Sequence, residues 1–158
     1  MIYDNTPFFK KISGRAALRP YICHFSLNAK KDFKLTRERI ELGKIGEDLA
    51  CKEIKRLGYK KIIRNYRCPL GEIDVIAKDG DTLVFLEIKT RKKGNLVYAK
   101  EAVNERKKRQ ISKVALAYLK DNDMNEIKAR FDVVAVSFRG KEPEIEIIRN
   151  AFDLDYGC

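Results

Sequence analysis

Residues 71 to 91, GEIDVIAKDGDTLVFLEIKTR, decide the fold, because two runs rich in β-branched residues flank the turn signal KDGD at 78 to 81. The pattern predicts a β-hairpin, with one strand, GEIDVIA, from Gly71 and a second, TLVFLEIKTR, from Thr82. Charges interrupt both arms. Side chains alternate along a strand, so Leu83, Phe85, Glu87 and Lys89 share one face of the second arm and Val84, Leu86 and Ile88 the other. Glu87 and Lys89 are then neighbours on one face, about 6 to 7 Å apart. On the first arm Glu72, Asp74 and Ile76 share a face. Loop length decides which residues meet. A two-residue loop of Asp79 and Gly80 puts Asp74 opposite Phe85, and a four-residue loop puts it opposite Glu87. Either leaves Asp74 on the face of Glu87 and Lys89, whereas a three-residue loop turns it to the other face.

Working outward, Thr36 to Leu57 predicts a helix, since Leu42, Ile45, Leu49, Ile54 and Leu57 fall on one broad stripe and Gly58 supplies the stop. Gly43, Gly46, Glu47 and Ala50 lie along one flank of that stripe, where small residues permit close approach and Glu47 leans into it. A strand, KIIRNYR from Lys61, precedes the hairpin. After a loop around Gly94, residues 102 to 120 predict a second helix with Val103, Ile111, Val114, Ala115, Tyr118 and Leu119 inward and ERKKRQISK as a basic outer face. Strands RFDVVAVSF and EIEII follow. The order αβββαββ predicts an α/β domain, a mixed central sheet flanked by helices. The domain is expected over 36–150, after a basic, disordered extension at 1–35 and before a tail at 151–158. The composition shift near Leu35 also fits a start placed upstream of the native one.

With 158 residues and a formal net charge of +11, the chain is long enough for one core and biased toward a polyanionic partner. Nucleic acid is the commonest such partner, and no basic amphipathic segment with exposed aromatics suggests a membrane surface. Cys23, Cys51, Cys68 and Cys158 are scattered without a C-x-x-C pair, which fits reduced thiols in the cytoplasm better than disulfides or zinc. The sole histidine, His24, lies in the least domain-like region, so hydrolytic chemistry would rest on carboxylates and lysine. No apolar run approaches the roughly 20 residues of a membrane span. Arg19, Pro20 and His24 break up any secretory apolar segment.

Two carboxylates side by side repel and are expensive to bury, so a cation is their natural companion, and hard divalent ions such as Mg²⁺ or Mn²⁺ accept oxygen ligands. Lys89 adds an ammonium that can stabilise phosphate charge or help activate water. Glu47 could complete the cluster from the helix. The alternative is a cross-strand salt bridge at a sheet edge with Glu47 and Asp74 merely solvated. Composition leaves both open.

The run GKIGEDLACKEIKRLGYKKIIRNYRCPLGEIDVIAKDGDTLVFLEIKTR, followed by AVNERKKRQISKVALAYL and RFDVVAVSF, closely resembles the YraN-like family of the restriction-endonuclease-like, PD-(D/E)xK nuclease superfamily, similar to Holliday-junction resolvases. The resemblance spans about Leu42 to Phe138, and the closing NAFD is similar too. It places Glu47 in a helical GE motif, Asp74 in GEID, and Glu87 and Lys89 in the E-x-K pair. It implies a metal-dependent phosphodiesterase with Asp74, Glu87 and the main-chain carbonyl of Ile88 as Mg²⁺ ligands. Lys89 would orient or activate the attacking water, and Glu47 would be an auxiliary ligand or water-holder. The implied substrate is structured DNA, RNA not being excluded, and a homodimer is expected because resolvases act on two-fold junctions. A different class is a non-catalytic nucleic-acid-binding or adaptor protein of DNA repair or uptake that keeps the fold.

Arg64, Arg67 and Arg91 around the hairpin, and Arg106, Lys107, Lys108, Arg109 and Lys113 on the second helix, are the expected phosphate contacts, against an ordinary solvated face. Glu72 is expected to support the site, Arg130 and Asp132 to form a structural pair, and Tyr66 and Tyr118 to pack in the core.

Overall fold

A computed structural model of the chain describes residues 27–92, 103–124, 126–138 and 142–155. Its elements are α1 (Leu27–Arg56), β1 (Lys60–Cys68), β2 (Gly71–Asp79), β3 (Thr82–Arg91), α2 (Glu105–Asp121), β4 (Ala129–Ser137) and β5 (Glu144–Phe152), the expected αβββαββ order. One sheet runs β1-β2-β3-β4-β5, with β3 and β4 parallel and every other pair antiparallel. Parallel neighbours need a crossover, and α2 lies within the connection between them.

Strand alternation divides the core between two faces. Phe85, Phe131 and Val133 meet Ile111, Val114, Ala115 and Tyr118 of α2. Val84, Leu86, Ile88, Val134 and Val136 meet Ala50, Cys51 and Ile54 of α1. Tyr118 stands edge-on to Tyr66 and Phe85, with ring centroids 5.1 and 6.0 Å away, so both tyrosines pack as expected.

Helix α1 departs from the predicted stripe. It begins at Leu27 rather than Thr36, so part of the expected extension is helical, while residues 1–26, with His24 and Cys23, lie outside the described residues. Ile45 and Leu57 are 51% and 43% exposed, and the inward line is Gly46, Ala50, Cys51 and Ile54. The cause is close approach: a Cβ on Gly46 would collide with the Thr90 side chain. The small-residue flank therefore seats the helix, and the larger side chains fall beside the contact.

Helix α2 begins at Glu105, after Asn104, whose side chain accepts the Lys107 N–H at 2.9 Å. The loop around Gly94 lies outside the described residues. The far end of the domain also differs from expectation. Strand β5 continues to Phe152, which stacks on Phe131 at 4.9 Å, and the Asp155 N–H donates to the buried Ser112 hydroxyl at 3.0 Å. Residues 151–155 thus belong to the folded unit rather than to a tail.

Arg130 and Asp132 form the expected structural pair. Asp132 is fully buried and accepts Arg130 Nε at 3.1 Å and the Asn150 N–H at 3.0 Å, while Arg130 also reaches Asp79 at 2.6 Å and the Tyr59 hydroxyl at 3.0 Å. Burial raises the Asp132 pKa, opposed by the Asn150 N–H and the Arg130 charge.

The hairpin loop has two residues, but they are Gly80 and Asp81, not Asp79 and Gly80: Asp79 pairs with Thr82. Gly80 takes the first loop position at φ +62°, a conformation that costs other residues more. This one-residue displacement replaces the Asp74–Phe85 alignment. Phe85 pairs instead with Ile76.

Candidate active site

The pairing of β2 with β3 ends at Val75 and Leu86, and the next step of that register would put Asp74 opposite Glu87. Strict alternation fails there. Ile73 packs in the α2-side core and Val75 in the α1-side core, although residues two apart in a regular strand share a face. Across on β1, between the pairs Arg64–Val75 and Tyr66–Ile73, Asn65 has a left-handed φ of +52°. Both strands therefore turn over together at this point. Freed from the ladder, the Asp74 side chain turns to β3, where Oδ2 accepts the Ile88 N–H at 2.7 Å.

Glu87 lies on the Phe85 face and is 3% exposed. Its Oε1 accepts Lys89 Nζ at 2.6 Å. Its Oε2 is 3.3 Å from Lys107 Nζ, outside hydrogen-bonding alignment, and has no hydrogen-bond partner among the described residues. Burial and the Glu87 charge push Asp74 up to about 6, opposed by the Ile88 N–H and then by Lys107 and Lys89. One buried and one partly buried carboxylate thus share one small volume with two ammonium groups. Together they can hold a cation, grip a phosphate or orient a water.

Lys107, expected on the basic outer face, is turned inward, its ammonium 3.3 Å from Glu87 Oε2. The signal was present in the spacing. Lys107, Ile111, Val114 and Tyr118 recur at intervals of four, three and four, so the lysine heads the buried stripe of α2.

Glu47 is half-buried beside Gly46, at the contact of α1 with Thr90. It acts electrostatically on Cys51 and Arg64. Among the described residues no three His, Cys, Asp or Glu side chains come together as a metal-holding group, so Glu47 is not gathered with Asp74 and Glu87. The reason is the layering: α1 covers the Val84, Leu86 and Ile88 face, and Glu87 points to the other.

The remaining basic residues divide in two. Arg64 pairs with Asp48 at 2.7 Å, Arg67 with Glu72 at 3.2 Å, Lys108 with Glu105 at 2.8 Å and Arg109 with Asp155 at 3.2 Å. Glu72 therefore serves Arg67. Arg91, Arg106 and Lys113 are exposed.

A family model described as "Uncharacterised protein family UPF0102" matches residues 46–136. The chain belongs to the UPF0102 family. A UPF0102 protein of Syntrophus aciditrophicus is 43% identical over 125 residues, which cover 79% of this chain and 98% of the relative. One of Geobacter sulfurreducens is 49% identical over 116 residues, or 73% of this chain and 91% of the relative. The UPF0102 match takes in Glu47, Asp74, Glu87, Lys89 and Lys107, and so the whole constellation lies in the part of the chain that defines the family. Among the described residues of this UPF0102 chain, no helix is long and apolar enough to cross a membrane.

Proposed function

We propose that this chain is a Mg²⁺- or Mn²⁺-dependent endonuclease that hydrolyses phosphodiester bonds in structured DNA, branched junctions foremost. The observation that carries this reading is Glu87 Oε2, a buried carboxylate oxygen without a hydrogen-bond donor among the described residues, beside a second carboxylate whose ionisation is resisted. Such a pair fits a hard divalent ion, and Asp74, Glu87 and the Ile88 carbonyl would hold it. Bound there, the ion supplies Lewis-acid polarisation of a phosphate oxygen and a lowered pKa for water.

The chain's own residues do the positioning. The Ile88 N–H holds the Asp74 carboxylate toward β3. Glu87 holds the Lys89 ammonium, which is 28% exposed and free to direct two further protons at the attacking water and a phosphate oxygen. Glu47 is not gathered with the pair and is assigned no step. Exposed Arg91, Arg106 and Lys113 suit contact with the flanking backbone, with the pairing of Arg64, Arg67, Lys108 and Arg109 making theirs weaker. A net charge of +11 and the resemblance to resolvases support DNA as substrate, and RNA falls within the same chemistry.

The test is a panel of linear, flapped and four-way DNA and matched RNA with Mg²⁺ or Mn²⁺, run on wild type and Lys89→Ala. Metal-dependent cleavage lost in the variant supports the reading. Intact substrates across a range of salt defeat it. A homodimer is the assembly proposed for two-fold junctions, and monomeric mass in light scattering would remove it.

One observation favours a second reading, a non-catalytic nucleic-acid-binding or adaptor protein of DNA repair or uptake. Lys89 and Lys107 already neutralise the carboxylates, so the site closes without a metal. Firm DNA binding in chelator, with no calorimetric heat from divalent ions, is its signature.

A further inference from the structure

Lys107 is the ammonium at the site that the E-x-K pattern does not supply. It rises from the first turn of α2, is 22% exposed, and faces Glu87 Oε2 at 3.3 Å while Lys89 occupies Oε1 at 2.6 Å. The two contacts differ in kind. Lys89 is hydrogen-bonded, whereas the Lys107 contact lacks hydrogen-bond alignment and leaves Oε2 unsatisfied. Lys107 is therefore near the carboxylates without being committed to them, on a long stem that can swing.

Ligand supply points the same way. A hard divalent ion takes about six oxygen ligands, and a pair of them is commonly bridged by several carboxylates. Among the described residues no third carboxylate joins Asp74 and Glu87 in a metal-holding group. Charge agrees with this. A phosphodiester under attack by water gathers two negative charges as the water gives up its proton. With the two carboxylates, these are balanced by one divalent ion, Lys89 and Lys107. A second divalent ion would leave the site strongly positive.

We propose that the site takes a single divalent ion and that Lys107 replaces a second one, its ammonium moving from Glu87 to a non-bridging oxygen of the scissile phosphate. In the hydrolysis the water oxygen bonds to phosphorus as the bond to the leaving sugar oxygen breaks. The proton of the water goes to solvent, and the leaving oxygen takes one up. This inference rests on the nuclease reading above and adds to it the ion count and the role of α2.

The experiment is a calorimetric Mn²⁺ titration of the full chain without nucleic acid, for wild type, Lys107→Met and Lys107→Arg, paired with cleavage kinetics. Wild type should bind one ion. Lys107→Met should also bind one, about ten-fold more tightly or better, because a neighbouring positive charge is gone. Its kcat should fall about 100-fold with KM little changed, as for the loss of one donor to a transition-state oxygen. Lys107→Arg should recover much of that loss. A merely structural lysine would leave kcat at saturating Mn²⁺ unchanged in Lys107→Met, and that result overturns the proposal. Two ions per wild-type chain also overturn it while leaving the nuclease reading standing, and this count is available even if Lys107→Met fails to fold. No Mn²⁺ binding by wild type defeats both.

Discussion

Replacing Asp74 with Asn should stabilise the metal-free protein above pH 6 and change it little in acid. In the folded chain, burial and the Glu87 charge push the Asp74 pKa from 3.8 up to about 6. Between those values the folded chain holds a proton that the unfolded chain has released. Stability therefore falls as pH rises through that window and stays lower above it. Asn has no charge to bury, and its amide oxygen can still accept the Ile88 N–H that Asp74 accepts at 2.7 Å. A difference of about 2 between the pKa values corresponds to ~3 kcal/mol, an upper value for a group still reached by water. About half of it, ~1.5 kcal/mol, is expected after relaxation of the site, or a rise in Tm of about 3 to 6 °C for a chain of this size. The assay is thermal unfolding in chelator at pH 8 and pH 4.5, where roughly a third of the gain should survive. A variant less stable than wild type at pH 8, or equally stabilised at both pH values, refutes the electrostatic origin.

Other perturbations probe the frame and the binding face. Gly46→Ala must displace Thr90 or α1, so denaturant unfolding should show a loss of about 1 to 3 kcal/mol. Asp132→Ala leaves Arg130 short of its buried partner and should lose about 3 kcal/mol in the same assay, with divalent-ion affinity unchanged. Arg106→Gln or Lys113→Gln should each lower the salt slope of DNA binding by about 1, measured by fluorescence anisotropy over a salt series. Arg109→Gln should lower it less, because Asp155 already holds that guanidinium.

The hairpin and the element order were legible because turn residues and β-branched runs are local signals. The register was not, since KDGD offers more than one loop around Gly80 and the pairing of Asp79 with Thr82 is what selects between them. The turning over of Asp74 depends on Asn65 in the neighbouring strand, a pairing that no local pattern announces. On α1 the larger apolar residues drew the stripe to Ile45 and Leu57, yet contact distance, set by Gly46 against Thr90, placed the small flank inward. Of the expected site residues, Asp74, Glu87 and Lys89 converge, and Glu47 stands apart because its helix covers the other face. Lys107 was hidden in a run of basic residues, where charge outweighed its spacing from Ile111.

The most direct measurement is cleavage of four-way, flapped and linear DNA by the purified full chain, with Mn²⁺ or in chelator, beside Asp74→Ala. Cleavage that requires the ion and disappears in Asp74→Ala is the predicted result. Substrates left intact by wild type with Mn²⁺ and Mg²⁺ would contradict the nuclease assignment, and cutting that survives in Asp74→Ala would contradict the site.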